Sequence, residues 1–153
     1  GAGVDKEITA TVMLGGLPPE CTQYQASGNV KVAAPAKKLD EYGALKEEEE
    51  NARLETFMAN VTPMEQAFIF VYAGRTSPRG QADLDVRRIR AALLKVGTPA
   101  ERIVTINGGF REEIAHELWL VPIGSEPPRA TPTVNAKDIV YPKPTPVVKK
   151  PGQ

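Results

Sequence analysis

One histidine, one cysteine and one tryptophan stand in a chain of 153 residues, and each scarcity removes a class of chemistry. His116, with no second histidine and no cysteine nearby, forms neither a metal-ligand cluster nor a nucleophile–base pair, and reads as a structural or surface residue. Cys21 closes no internal disulfide. It can be a buried small hydrophobe, an intermolecular bridge or a lipid or cofactor attachment point, and it leaves the redox compartment unread. No CxxCH accompanies it, so covalent haem is unsupported. HExxH, GxxxxGK and GxSxG motifs are likewise missing. No run of about twenty apolar residues exists, which leaves a transmembrane segment unsupported. Lys plus Arg equals Asp plus Glu at 19 each, which removes the electrostatic footprint of a nucleic-acid binder and any charge-driven reason to adsorb on an anionic membrane. These exclusions lead to the expectation of a non-enzymatic protein with no cofactor and no metal.

With 41% apolar residues, the chain has material for one globular domain with tails. Its most informative stretch runs from Phe68 to Gly109. Phe68–Val71 is a short apolar run closed by Gly74, which suits a strand buried on both faces. Val86, Ile89, Leu93 and Val96 then make one helical stripe, with Arg87, Arg88 and Lys95 directed more toward water. Gly97 ends that helix, and the β-branched run Arg102–Ile106 starts another strand. Strand, helix and strand in this order form a βαβ-type unit. Gly108 and Gly109 read as a turn.

Three segments surround this unit. In residues 1–36, Ile8, Ala10, Val12 and Leu14 alternate with Thr9, Thr11 and Met13, a period-two pattern for a half-buried strand; Val30 and Val32 suggest a second. This N-terminal arm could add a hairpin to the main sheet or lie across another protein. Residues 37–122 begin with a strand at Leu39–Leu45 and a helix at Lys46–Val61, whose Leu54, Phe57, Met58 and Val61 form an apolar stripe. Glu47 to Glu50 complement the positive end of that helix on a solvated surface. Ala115–Pro122 reads as an interior last strand, with Trp119 in the core. Residues 123–153 carry Pro127, Pro128, Pro132, Pro142, Pro144, Pro146 and Pro151. Proline lacks the amide donor and fixes φ, so this is an extended tail. Ile139, Val140, Tyr141, Val147 and Val148 are apolar anchors that a pure spacer does not need, and they predict docking on a neighbouring subunit.

The Gly74-Arg75-Thr76-Ser77-Pro78-Arg79-Gly80 loop, the Arg-rich helix, the Gly97-Thr98-Pro99-Ala100-Glu101-Arg102-Ile103 connection and the Gly-Gly-Phe-Arg-Glu-Glu segment at 108–113 together resemble the C-terminal, peptidoglycan-associating domain of outer-membrane protein A. Gly74, Thr76, Gly80, Leu84 and Arg88 fall at matching places of that family's G-H-T-D-x-x-G loop and following helix. The resemblance covers about residues 37–122 and implies an α/β fold, an α+β sandwich with βαβαββ order. It also implies an exported protein, of the periplasm, the outer envelope or the extracellular space; the initial Gly1 fits leader removal and trimming equally well. In the family the loop aspartate and helix arginine hold the zwitterionic end of a cell-wall peptide. Thr76, Ser77 and Arg88 are therefore the candidate, degenerate peptidoglycan-binding residues. Ser77 in the aspartate's place supplies no countercharge, the loop is shorter, and the family's asparagine is missing. Asp83 or Asp85 offers a replacement carboxylate, and a helix-start acid also serves the dipole. The expectation is a structural or accessory subunit of an exported assembly with weakened or lost wall binding. The alternative is a subunit of an extracellular filament or complex held by strand addition and tail docking.

Overall fold

Chain order is β1 (Val4–Met13), β2 (Gln23–Val32), β3 (Lys37–Tyr42), α1 (Glu47–Ala59), β4 (Glu65–Gly74), α2 (Gln81–Lys95), β5 (Ile103–Arg111) and β6 (Ala115–Pro122). The computed structural model describes residues 4–13, 15–16, 18 and 23–142; Leu14, Cys21, Val147 and Val148, which figure in the sequence reading, lie outside them. The molecule is a mixed α/β protein with two sheets, compatible with an α+β sandwich. No helix among the described residues is long and apolar enough to cross a membrane.

The main sheet runs β3-β6-β4-β5, with β4 and β5 parallel and β6 antiparallel to both its neighbours, β3 and β4. The βαβ unit read from Phe68–Gly109 is therefore β4-α2-β5, and β6 inserts between the two strands that flank α1. β4 is buried without a break from Ala67 to Gly74, as an apolar run inside a two-sided sheet must be. Ala67, Ile69, Val71 and Ala73 meet Leu54, Phe57, Ile89 and Leu93 of the helices. By alternation, Phe68, Phe70 and Tyr72 point to the opposite face, and they too are buried.

The proline-rich segment helps to close that second face. Tyr72 Oη accepts the Thr131 amide at 3.0 Å, Pro132 lies against Gly109, and Thr133 and Val134 both donate their amides to the Phe110 carbonyl. Val134 is buried and bridges Phe110 on β5, the exposed edge of the sheet. An edge strand presents unpaired amides and carbonyls, and a covering segment blunts it. Described tail residues thus lie on their own domain.

Several local expectations shift. The first strand of the sheet ends at Tyr42, and Leu39 and Leu45 are exposed. Val96 caps the end of α2 and is 57% exposed, so the core stripe closes with Leu93. Trp119 is half-buried on the helix-free face, with the Lys38 ammonium 5.9 Å from its ring. Among the described residues the arm adds no strand to the main sheet: β1 and β2 form a separate antiparallel hairpin of two ten-residue strands.

Gly108 makes no turn. It sits at a register shift within β5, where Val71 faces Asn107 and Tyr72 faces Gly109, the pattern of a bulge. A Cβ at Gly108 would fall 2.4 Å from the Tyr72 ring, which is wholly buried and hydrogen-bonded to Glu117 and cannot step aside. Gly108→Ala is expected to cost about 1–3 kcal/mol by overpacking, read as a lower urea midpoint; an unchanged midpoint would show that the ring yields.

Candidate functional site

The loop between β4 and α2 is a closed turn. Ser77 donates its amide to the Gly74 carbonyl at 3.0 Å, and its Oγ accepts the Gly74 amide at 2.9 Å. Gly74 leaves no room for a side chain, since a Cβ would meet the Ile114 amide nitrogen at 3.1 Å. Gly80, just before the first residue of α2, has φ of 78°, which glycine adopts at no steric cost. Thr76, Ser77, Gly74 and Pro78 line an open groove of about 440 Å³ with Glu112, Glu113 and Ile114. Thr76 is exposed there and Ser77 is buried. The ionisable side chains lining this groove are the two carboxylates of Glu112 and Glu113, and Arg75 pairs with Glu112 at 3.4 Å.

Arg88 is elsewhere. Its guanidinium bonds the buried Glu50 carboxylate of α1 and donates to Asp85 Oδ1 at 3.2 Å. Asp85 in turn accepts from Gln81 at 2.9 Å. Of the three predicted wall-contacting residues, the fold thus brings Thr76 and Ser77 to one groove and ties Arg88 into the interface between the helices. Asp83 bonds Asn107 at 2.7 Å and Asp85 pairs with Arg88, so neither lines the groove.

Glu50 is the residue that the sequence reading places in solvent and the structure buries, at 2% exposure. Helical spacing explains it: positions 50, 54, 57 and 61 lie on one stripe, and the other three are core residues. Around Glu50, Tyr42 Oη donates to Oε1 at 3.3 Å, and the His116 Nε2 lies 3.7 Å from the same oxygen. The His116 ring stacks on Tyr42 at 4.7 Å and is buried with neither ring nitrogen hydrogen-bonded. The helix arginine read as pointing to water is what neutralises this pocket.

A second buried carboxylate occupies the helix-free face. Glu117 accepts from Arg111 at 2.7 Å, Tyr72 at 3.1 Å, and Trp119 at 3.2 Å. Arg111 also reaches Glu41 at 2.7 Å and the Thr131 hydroxyl at 2.8 Å, with its guanidinium 3.8 Å from the Tyr72 ring centre. No cluster of three or more His, Cys, Asp or Glu suited to a metal occurs among the described residues.

The predicted docking residues come to the groove's flank. Val140 donates its amide to the Arg75 carbonyl at 3.1 Å, and the Arg79 guanidinium lies 4.7 Å from the Tyr141 ring centre. Ile139 is half-buried, whereas the Val140 and Tyr141 side chains remain exposed. No protein-family model, curated protein or solved structure matches this chain.

Titration distinguishes the two buried nodes. Burial pushes the His116 pKa below its usual 6.5 and Arg88 adds to this, against the opposing pull of Glu50 and Asp85. The unfolded chain therefore binds the extra proton, and stability falls as pH drops through 6.5. For Glu117, burial pushes upward but bonds from Arg111, Trp119 and Tyr72 outweigh it and lower the pKa below 4.5. Its contribution is complete above that value and is lost only in stronger acid. His116→Phe, which keeps a ring against Tyr42, is expected to flatten the loss of stability between pH 7 and 5, by up to about 1.4 kcal/mol per pH unit. Urea midpoints at half-unit pH steps check this; parallel wild-type and variant curves would refute it.

Proposed function

We propose that the protein is a non-enzymatic subunit of a bacterial cell-envelope assembly, built on an OmpA-like α/β module whose wall-binding site has decayed. The reading is supported by the element order of residues 37–122, which is βαβαββ, and by a glycine-bounded loop between the central strand and α2 that presents Thr76 at a groove. One observation carries the functional half of the proposal. The arginine that the resemblance assigns to ligand binding is engaged with Glu50 and Asp85, and at the groove itself Glu112 is paired with Arg75 at 3.4 Å.

A zwitterionic ligand end needs both signs of charge within reach, because a charge-assisted bond is about twice as strong as a neutral one. Ser77 gives the ammonium no countercharge, and its oxygen already accepts the Gly74 amide. Freeing Arg88 would strand Glu50 in the interior, a desolvation cost that weak ligand contacts do not offset. The module then serves as a rigid body that holds other parts in place, and the export expected for the family fits that role.

Purified peptidoglycan sacculi provide the direct check. Wild-type protein is expected to pellet with them barely above a no-wall control, with Arg88→Ala no weaker, and to fractionate with the envelope of its source cell. Saturable pelleting that Arg88→Ala abolishes would overturn the decayed-site reading, and recovery in the cytosol would overturn the envelope assignment.

A further inference from the structure

The two outer edges of the main sheet differ in chemistry. β3 carries Lys37, Lys38, Asp40 and Glu41 and shifts register between Lys38 and Asp40, and charges with a local irregularity are what keep an edge from pairing. β5 lacks the charges: Ile103, Val104, Thr105 and Ile106 are β-branched, and no charged side chain precedes Arg111 in the strand. Val134 covers this edge at Phe110, and the bulge at Gly108 interrupts it. From Ile103 to Asn107 no strand pairs with the outer side of β5 among the described residues. Val104, Thr105 and Ile106 are half-buried there and Asn107 is exposed. α2 holds both ends of the stretch, since Arg90 donates to the Ile103 carbonyl at 2.8 Å and Asn107 donates to Asp83 at 2.7 Å. Leu94, one turn past Arg90 on the same side of the helix, is 42% exposed.

Backbone groups of successive strand residues point alternately to the two sides of the strand. The Ile103 carbonyl, reached by Arg90, faces away from β4, so those of Thr105 and Asn107 do as well. Thr105 is thus the midpoint of a short open ladder, and the stretch is complementary to itself. With a two-fold axis at Thr105, two Thr105 residues exchange both backbone bonds, Ile103 faces Asn107, and Val104 faces Ile106 in the closer-spaced pairs. Val104 and Ile106 lie on the helix-free side, beside Phe68 and Phe70, so these pairs are apolar against apolar and no like charges meet. Thr105 meets its own copy on the helical side, a favourable cross-strand pair. The same register sets Phe110, where Val134 occupies the edge, opposite the turn at Ala100–Arg102. Tail and partner strand therefore do not compete. A strand of the β1–β2 hairpin offers no such match, because its ten residues would run past the open stretch into that turn at one end and the Val134 bridge at the other.

We propose that the protein associates with a second copy of itself by antiparallel pairing of β5 with β5 about Thr105, which joins two four-stranded sheets into one. This is strand addition in its symmetric form. Five residues a side span only about 17 Å, and a contact of that length with Leu94 beside it falls at the small end of specific interfaces. The dimer is therefore weak and concentration-dependent, and holding copies close together in an assembly would favour it. The inference rests neither on the groove beside Ser77 nor on the envelope assignment, and its test reads association alone.

The test is sedimentation velocity of the full chain from about 10 μM to about 1 mM, a range suited to weak association. Wild type is expected to pass from monomer toward dimer and no further, since a two-fold pair closes on itself. Thr105→Pro removes the outward amide at an edge position, where proline is tolerated, and should raise the dimer dissociation constant at least ~10-fold. Thr105→Ser keeps that amide and should not. Val12→Lys, on the hairpin, should leave the constant unchanged. A covalent probe keeps the test decisive even if the proline variant fails to fold. In a Cys21→Ser background, Thr105→Cys sets two thiols at the axis with Cα atoms about 5.5 Å apart, within disulfide reach. Copper–phenanthroline oxidation should then give a disulfide-linked dimer much faster than it does for Glu55→Cys on the exposed side of α1. A monomer at every concentration, growth beyond the dimer, loss of the dimer in Val12→Lys, or cross-linking no faster at position 105 than at 55 would each overturn the proposal.

Discussion

β4 is buried on both faces over eight consecutive residues, and that constraint organises the rest of the domain. A strand of this kind needs two covers, and α1 and α2 supply one of them. The other includes the segment after β6, held by the Tyr72 hydroxyl, the Phe110 carbonyl and Arg111. Proline suits this duty: the segment must cross a sheet face as extended chain without adding a strand, and a residue with fixed φ and no amide loses little entropy and leaves no donor unpaired. The hydrophobic core therefore does not stop where the regular elements stop. A boundary drawn at residue 122 divides the sequence by composition and cuts through a packed layer.

Each sheet face also encloses buried carboxylate matched to one arginine, Glu50 and Asp85 on the helical face and Glu117 on the other. Glu50 with Arg88 joins α1 to α2, and Glu117 with Arg111 joins β6 to β5, β3 and the tail. Buried ion pairs add little net stability, because desolvation consumes most of the attraction, but removing one partner is costly. Their effect is to make alternatives to the native arrangement expensive. The same economy bears on function. An arginine fixed by a buried acid cannot also serve as a ligand-binding cation, so Arg88, spent on structural specificity between the helices, is one the Thr76–Ser77 groove does not have.

The elements that periodicity governs were legible in the chain: the βαβ unit, the apolar stripe of α1 and the buried run in β4 follow from spacing and side-chain type. Glu50 was legible in principle, since it continues the 54–57–61 stripe, but a run of four glutamates masks the one that turns inward. Arg88 shows the converse, for a cation beside an apolar stripe reads as solvated until its partner on another helix is known. The Gly108 bulge and the tail's place over Tyr72 depend on contacts between residues far apart in sequence, which no local pattern encodes. In the arm, alternation correctly indicated strands; that the two strands pair only with each other is a tertiary fact.

The hairpin and the domain pose opposite energetic problems. Within the α/β domain nearly every large apolar side chain on the central strand finds cover, even at the expense of burying three carboxylates. The hairpin, in contrast, leaves an apolar face, interrupted by Lys6, in water; at about 25 cal/mol per Å² over no more than roughly 340 Å², up to about 8 kcal/mol of burial is not realised. An isolated two-stranded ribbon is marginal at best, and a patch of this size is commonly functional. Its stability must therefore come from whatever it meets.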